Sequence, residues 1–223
     1  MNFSDKETKR FDEAKDLLNK LKKLLPKLLF AGDINSISKL PFKVQSLQNV
    51  LLCRIVDFSD LAIDLFKSNR LAPAALVTRG AFETTAVLCS LHVKLKEVIE
   101  NKDLCNIDKY LMTSLFGGRV KGSPTKSENI LDSIDRATKE FEPYRESYDE
   151  LCEYAHPNWT GVMGSYSWLD KPKHTLLLGR EHSKVGIMGA LPLLLISMAL
   201  FINYYNEIKK ELTAFINICE KKL

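Results

Sequence analysis

The sequence predicts an all-α protein, a five- or six-helix bundle with a small β-hairpin or lid inserted near residues 159–179. Three observations predict it. The 223 residues include only ten glycines and eight prolines, few for an all-β chain that must turn often. Apolar residues recur at three- and four-residue steps over long stretches, the repeat of one helical face. Apolar side chains make up 45% and charged ones 27% of the chain, a balance that supports a core. The length suits one domain: residues 1–40 as an N-terminal amphipathic helix and its connection, 45–205 as the core bundle and 206–223 as a C-terminal helical extension.

Lys9 to Phe30 carries Phe11, Ala14, Leu17, Leu18, Leu21, Leu24, Leu25, Leu28 and Leu29 on one stripe, an amphipathic helix with a lysine-rich outer side. Ala31 to Pro41 is a connection. Gln45 to Asn69 is a second helix, with Leu47, Val50, Leu51, Ile55, Phe58, Leu61, Ala62 and Leu65 inward and Asp57, Asp60 and Asp64 on a solvated face. Pro73 suits the first turn of a third helix running to Glu100. That helix is apolar on nearly every side from Ala74 to Leu91, so it belongs in the middle of the bundle.

Asn101 to Asn129 is polar, with a short helix over Ile107 to Phe116 and a basic glycine loop through Gly117, Gly118, Arg119, Lys121 and Gly122. The loop lacks the spacing of a phosphate-binding loop, leaving Arg119 and Lys121 as candidate anion contacts. A further helix starts near Ser127, breaks around Pro143 and resumes from Tyr144 to Ala155, where His156 and Pro157 end it. Asn158 to Gly179 reads as a hairpin turning near Asp170 to Lys173. Val185 to Tyr205 is uncharged and long enough to span a membrane. Gly186, Gly189, Pro192, Ser197 and Asn203 interrupt it, and it is read as a buried central helix, with a membrane span as the alternative.

Composition narrows the function. There are 32 basic and 28 acidic side chains, a net charge of +4, too weak a field for a dedicated nucleic-acid binder but compatible with transient RNA contact. Cys53, Cys89, Cys105, Cys152 and Cys219 are scattered, with no Cys-x-x-Cys pair, which suits reduced thiols in the cytoplasm. The charged stretch Asp5, Lys6, Glu7, Lys9 and Arg10 argues against a secretory signal.

Arg79 and Glu83 are the only charges within the apolar part of the third helix, stacked one turn apart. Burying either alone costs several kcal/mol, so they are expected to pair with each other or with further partners. Three metal and nucleophile patterns fall short. Glu153-x-x-His156 occurs once, where a di-iron bundle needs two copies and further carboxylates, so no metal and no cofactor is expected. Cys152 and His156 share a helical face without an orienting third group. His92, nine residues beyond Glu83, lies about 180° around the helix from it, and His174 and His182 fall in the hairpin region.

The segment Tyr148-Asp-Glu-Leu-Cys-Glu-Tyr154-Ala-His156-Pro-Asn158, together with Arg79-Gly-Ala-Phe-Glu83, resembles prokaryotic helical-bundle families grouped with HEPN-like proteins, over a layout of about residues 45 to 205. The resemblance implies an RNA- or nucleotide-directed factor of a toxin or phage-defence system, with a metal-independent ribonuclease site. His156 would accept the 2′-hydroxyl proton and Arg79, with Glu83, would stabilise the transition-state charge. Tyr154, Asn158, Arg119 and Lys121 would bind substrate, and Trp159 and Trp168 could stack on a base. The catalytic motif of such proteins sets arginine four to six residues before histidine. Here the nearest upstream arginine is Arg145, eleven residues away and roughly 16 Å along a helix, so the arginine must come from another helix. The alternative is a non-enzymatic binding module in which Arg79, Glu83 and His156 form a structural network. A homodimer through the N-terminal or C-terminal amphipathic helix fits either reading.

Overall fold

A computed structural model describes residues 3–34, 36–183 and 187–221. Helix α1 (Asp5–Leu24) opens on a capping box. The Ser4 hydroxyl accepts from the Glu7 N–H, and the Glu7 carboxylate accepts from the Ser4 N–H, satisfying two of the groups a helix start leaves open. Its buried stripe is Phe11, Ala14, Leu18 and Leu21. The helix stops six residues short of the expected Phe30 because Pro26 drives Leu25 to an extended ψ of 119°. Leu28, expected on the inner face, is exposed in consequence, as is Phe30.

Helix α2 (Leu40–Lys67) begins five residues before the expected Gln45, with Pro41 in its first turn. Leu47, Leu51, Ile55 and Ala62 are buried as expected, whereas Val50 and Leu61 face solvent. Asp60 and Asp64 on its polar side pair with Lys22 of α1 and with Lys67. Helix α3 (Leu71–Asn101) is buried along most of its length.

Helix α4 (Ile107–Phe116) leads through two-residue strands β1 (Gly117–Gly118) and β2 (Thr125–Lys126), paired in parallel. Helix α5 (Ile130–Glu140) is capped by Asn129, and α6 (Tyr144–Glu153) follows the break at Pro143. A π-helical turn (Trp159–Gly164) then enters an antiparallel hairpin of β3 (Ser167–Asp170) and β4 (Thr175–Leu178), with Trp168 opposite Leu177. Helix α7 (Ile187–Glu220) fuses the expected core helix with the expected C-terminal extension into one rod of 34 residues, about 51 Å long. The expected start of this run at Val185 and Gly186 lies outside the described residues.

The protein is therefore mostly helical, with two small strand pairs. Seven α-helices occur among the described residues, more than the expected five or six. The core lies where α3 packs on α7 and α2, with α1 across α2 and α7 and with α5 and α6 against α3. Helix α7 is the one described helix long and apolar enough to cross a membrane. In this fold Leu191, Leu194, Met198, Phe201, Ile208 and Phe215 are fully buried, and Thr85 of α3 meets Ser197 through a hydroxyl pair at 2.9 Å.

Candidate functional site

Arg79 and Glu83 meet a third residue from α6. The Arg79 Nε donates to Glu83 Oε1 at 3.1 Å and its Nη2 donates to the Tyr148 hydroxyl at 3.0 Å. Tyr148 in turn donates to Glu83 Oε1 at 3.1 Å, and the guanidinium lies 5.3 Å from the Tyr148 ring centre. The triangle closes on itself. It sits at the edge of the α3–α6 crossing rather than in the deep core, the Arg79 and Glu83 side chains remaining 31% and 27% exposed.

The crossing follows from spacing on α6. Tyr144, Tyr148 and Cys152 recur every four residues and share one face. Tyr144 is fully buried, its hydroxyl donating to the Phe82 carbonyl at 2.6 Å. Burial pushes the Tyr148 phenol up to about 12, with the Arg79 bond pulling against it and Glu83 adding to it. Tyr148 therefore keeps its proton at neutral pH. Burial also raises the Cys152 thiol, against the pull of Arg79, which makes it a poor nucleophile. Tyr148 was the missed member of the site, and the Tyr144-x-x-x-Tyr148-x-x-x-Cys152 spacing was the signal that could have found it.

His156 is exposed beyond the end of α6, and among the described residues the bonds of Arg79 run to Glu83 and Tyr148. Tyr154 is buried, with its hydroxyl close against Gly189 of α7. Asn158 spends both ends of its amide locally: Oδ1 accepts from the Gly161 N–H at 3.0 Å, and Nδ2 donates to Glu153 Oε2 at 2.5 Å. It thus caps the π-helical turn and ties it to α6. Gly161 is required there, since a Cβ would lie 2.1 Å from the His156 carbonyl oxygen. Arg119 and Lys121 are exposed in the loop between β1 and β2, and no described bond joins them to Arg79 or His156.

A second polar cluster is buried between α3 and α7. His92 Nε2 lies 3.3 Å from Glu211 Oε1, and the imidazole packs 5.6 Å from the Tyr204 ring. Among the described residues, His92 Nδ1 and Glu211 Oε2 are buried without a hydrogen-bond partner. Burial raises the Glu211 carboxyl, His92 and Lys96 pull it back and Glu207 adds to the rise. One turn before His92, burial pushes the Cys89 thiol up to about 11. No sequence signal pointed to Glu211, which lies 119 residues downstream of His92 on an amphipathic stretch. Among the described residues no three His, Cys, Asp or Glu side chains are placed to hold a metal.

The most unusual surface lies past His156. Nine large apolar side chains between Trp159 and Leu178 are exposed, from 39% at Leu177 to 70% at Leu178, with Trp159 at 62% and Trp168 at 46%. A cleft of about 160 Å³ at the base of this end is lined by Arg70, Pro73, Tyr166 and Arg180. No protein-family model, no curated protein and no solved structure matches the chain.

Proposed function

We propose that the protein is a non-enzymatic interaction module that docks another polypeptide on the apolar end formed by the π-helical turn and the hairpin. One observation carries the reading. The nine side chains, three of them aromatic, are exposed by 39–70% within the one stretch from Trp159 to Leu178, and apolar surface gathered beyond about a few hundred Å² marks an interaction site. The Arg79, Glu83 and Tyr148 groups satisfy one another, which supports a role as a brace between α3 and α6.

The test uses the lysines at the hairpin tip. In cells that make the protein, amine crosslinking followed by mass spectrometry is expected to join Lys171 or Lys173 to another chain. Replacing Trp168 and Leu178 together by Gln is expected to remove these crosslinks without changing helical circular dichroism. A wild-type protein that forms no inter-chain crosslink from the hairpin overturns the reading.

A second reading, the metal-independent ribonuclease of a toxin or phage-defence system, is favoured by the partial exposure of Arg79 and Glu83. His156 would take the 2′-hydroxyl proton and Arg79 would stabilise the developing charge. Under it, Arg79→Ala and His156→Ala each abolish RNA cleavage at an unchanged melting temperature. Purified wild type without RNA cleavage counts against it.

A further inference from the structure

We infer that β4, the open edge of the hairpin, pairs with β4 of a second copy of this chain about a twofold axis through Leu177. The inference rests on the docking reading above and names its partner.

The hydrogen-bond phase of the hairpin sets which groups face outwards. The Gly179 N–H donates to the Tyr166 carbonyl at 2.8 Å, so these two form a bonded pair of the ladder. Bonded and non-bonded pairs alternate in an antiparallel ladder, and Trp168 stands opposite Leu177 two residues along. Leu177 therefore turns its backbone groups towards β3. Leu176 and Leu178 turn theirs away from it, into solvent.

That outer edge is unprotected. Thr175-Leu-Leu-Leu178 has no charge and no proline and is exposed throughout, so beyond its shortness it carries no device against pairing with another chain. An isolated two-stranded hairpin is also marginal in water, and further strands would stabilise it.

An axis through Leu177 sets Leu176 opposite Leu178 of the second copy, and Leu178 opposite its Leu176. Outward-facing groups then meet outward-facing groups, and both pairs exchange N–H to carbonyl bonds. An axis between Leu176 and Leu177 would oppose outward to inward residues and make no ladder. On one face the leucines at the axis lie side by side, flanked by the two Trp168 rings, a continuous apolar stripe.

The ends of the strand agree with this register. His174 and Gly179 leave the extended conformation at φ 50° and φ 129°, so an axis through Leu176 or through Leu178 would make one bonded pair within the strand, whereas that through Leu177 makes two. The strand itself is uncharged, and the Lys173 ammonium at the turn is held 3.3 Å from Asp170 Oδ2, so no like charges meet along the seam. A bilayer fits less well, because the tip of the hairpin carries Asp170, Lys171, Lys173 and His174 while the apolar residues lie along its stem. Inserting such a tip would bury charge.

Light scattering and sedimentation of the purified chain over about 1–100 μM are expected to show a concentration-dependent dimer. Leu176→Pro removes an outward N–H and leaves the bonds between β3 and β4 intact. It is expected to weaken association by roughly tenfold or more at unchanged circular dichroism. Leu177→Lys, which sets two like charges side by side at the axis, is expected to weaken it too, and Leu177→Val to keep it. A monomer throughout that range, or a dimer indifferent to both Leu176→Pro and Leu177→Lys, overturns the inference. So does binding of the wild type to phosphatidylcholine–phosphatidylserine vesicles that is lost in Trp168→Gln. A monomeric purified chain whose hairpin lysines crosslink to a different polypeptide overturns the second copy alone and keeps the docking reading. No inter-chain crosslink overturns both.

Discussion

Each of the two polar clusters yields a test at the level of single side chains. Tyr148→Phe keeps the ring on Arg79 but loses the bonds to Arg79 and Glu83, and should lower unfolding free energy by about 1–2 kcal/mol in urea titrations. Because Arg79, Glu83 and Tyr148 share one closed set of bonds, the cost of Tyr148→Phe should shrink in an Arg79→Ala background. Strictly additive costs would mean that the triangle does not act as a unit. At Glu211 the sign follows from burial, which raises the carboxyl pKa in the folded state. Its stabilising contribution is complete below the unfolded carboxyl pKa and is lost as pH rises through the folded one. The melting-temperature difference between wild type and Glu211→Gln should therefore move against the wild type from about pH 4 upward. A flat difference would show that Glu211 titrates alike in both states.

Among the elements, the π-helical turn is the one whose geometry hangs on a single residue. Gly161→Ala would set a Cβ 2.1 Å from the His156 carbonyl oxygen and 3.0 Å from that of Tyr154, and backbone there has no room to yield. A cost of about 1–3 kcal/mol is expected, with faster hydrogen exchange at residues 154–164. An unchanged exchange pattern would show that the turn does not depend on this contact. Both ends of α4 and the hairpin turn were legible, since each is bounded by its own punctuation in glycine, proline and polar residues. Helix α1 was read too long because its leucine stripe runs on past Pro26, and proline decides a helix end more strongly than hydrophobic repetition does. Val50 and Leu61 show the converse failure: apolar and in phase, they face solvent because no described helix covers them.

At the scale of the whole molecule, burial sorts the thiols. Cys89 and Cys219 are buried and pushed up to about 11, burial being the leading cause at both, whereas Cys53 and Cys105 are exposed. Alkylation of the native protein at neutral pH should mark Cys53 and Cys105 and spare Cys89 and Cys219 until denaturant is added, as mass spectrometry of the peptides would report. Early labelling of Cys89 would reveal opening of the α3–α7 core. The exposed apolar end gives the molecule its other global property, a surface whose cover must come from outside the chain if the docking reading is right.

The helical class, the hairpin and the pairing of Arg79 with Glu83 were determined by the sequence itself, because each rests on residues a few positions apart whose geometry a helix or turn dictates. Tertiary structure alone decided that Tyr148, 69 residues from Arg79, closes the triangle, that Glu211 meets His92, and that His156 stays at the surface. The physical reason is that hydrophobic periodicity says which side of a rod will be covered but not by which rod. The same limit hid the apolar end, since hydrophobicity predicts burial and only the packed chain shows which apolar residues were left without a cover.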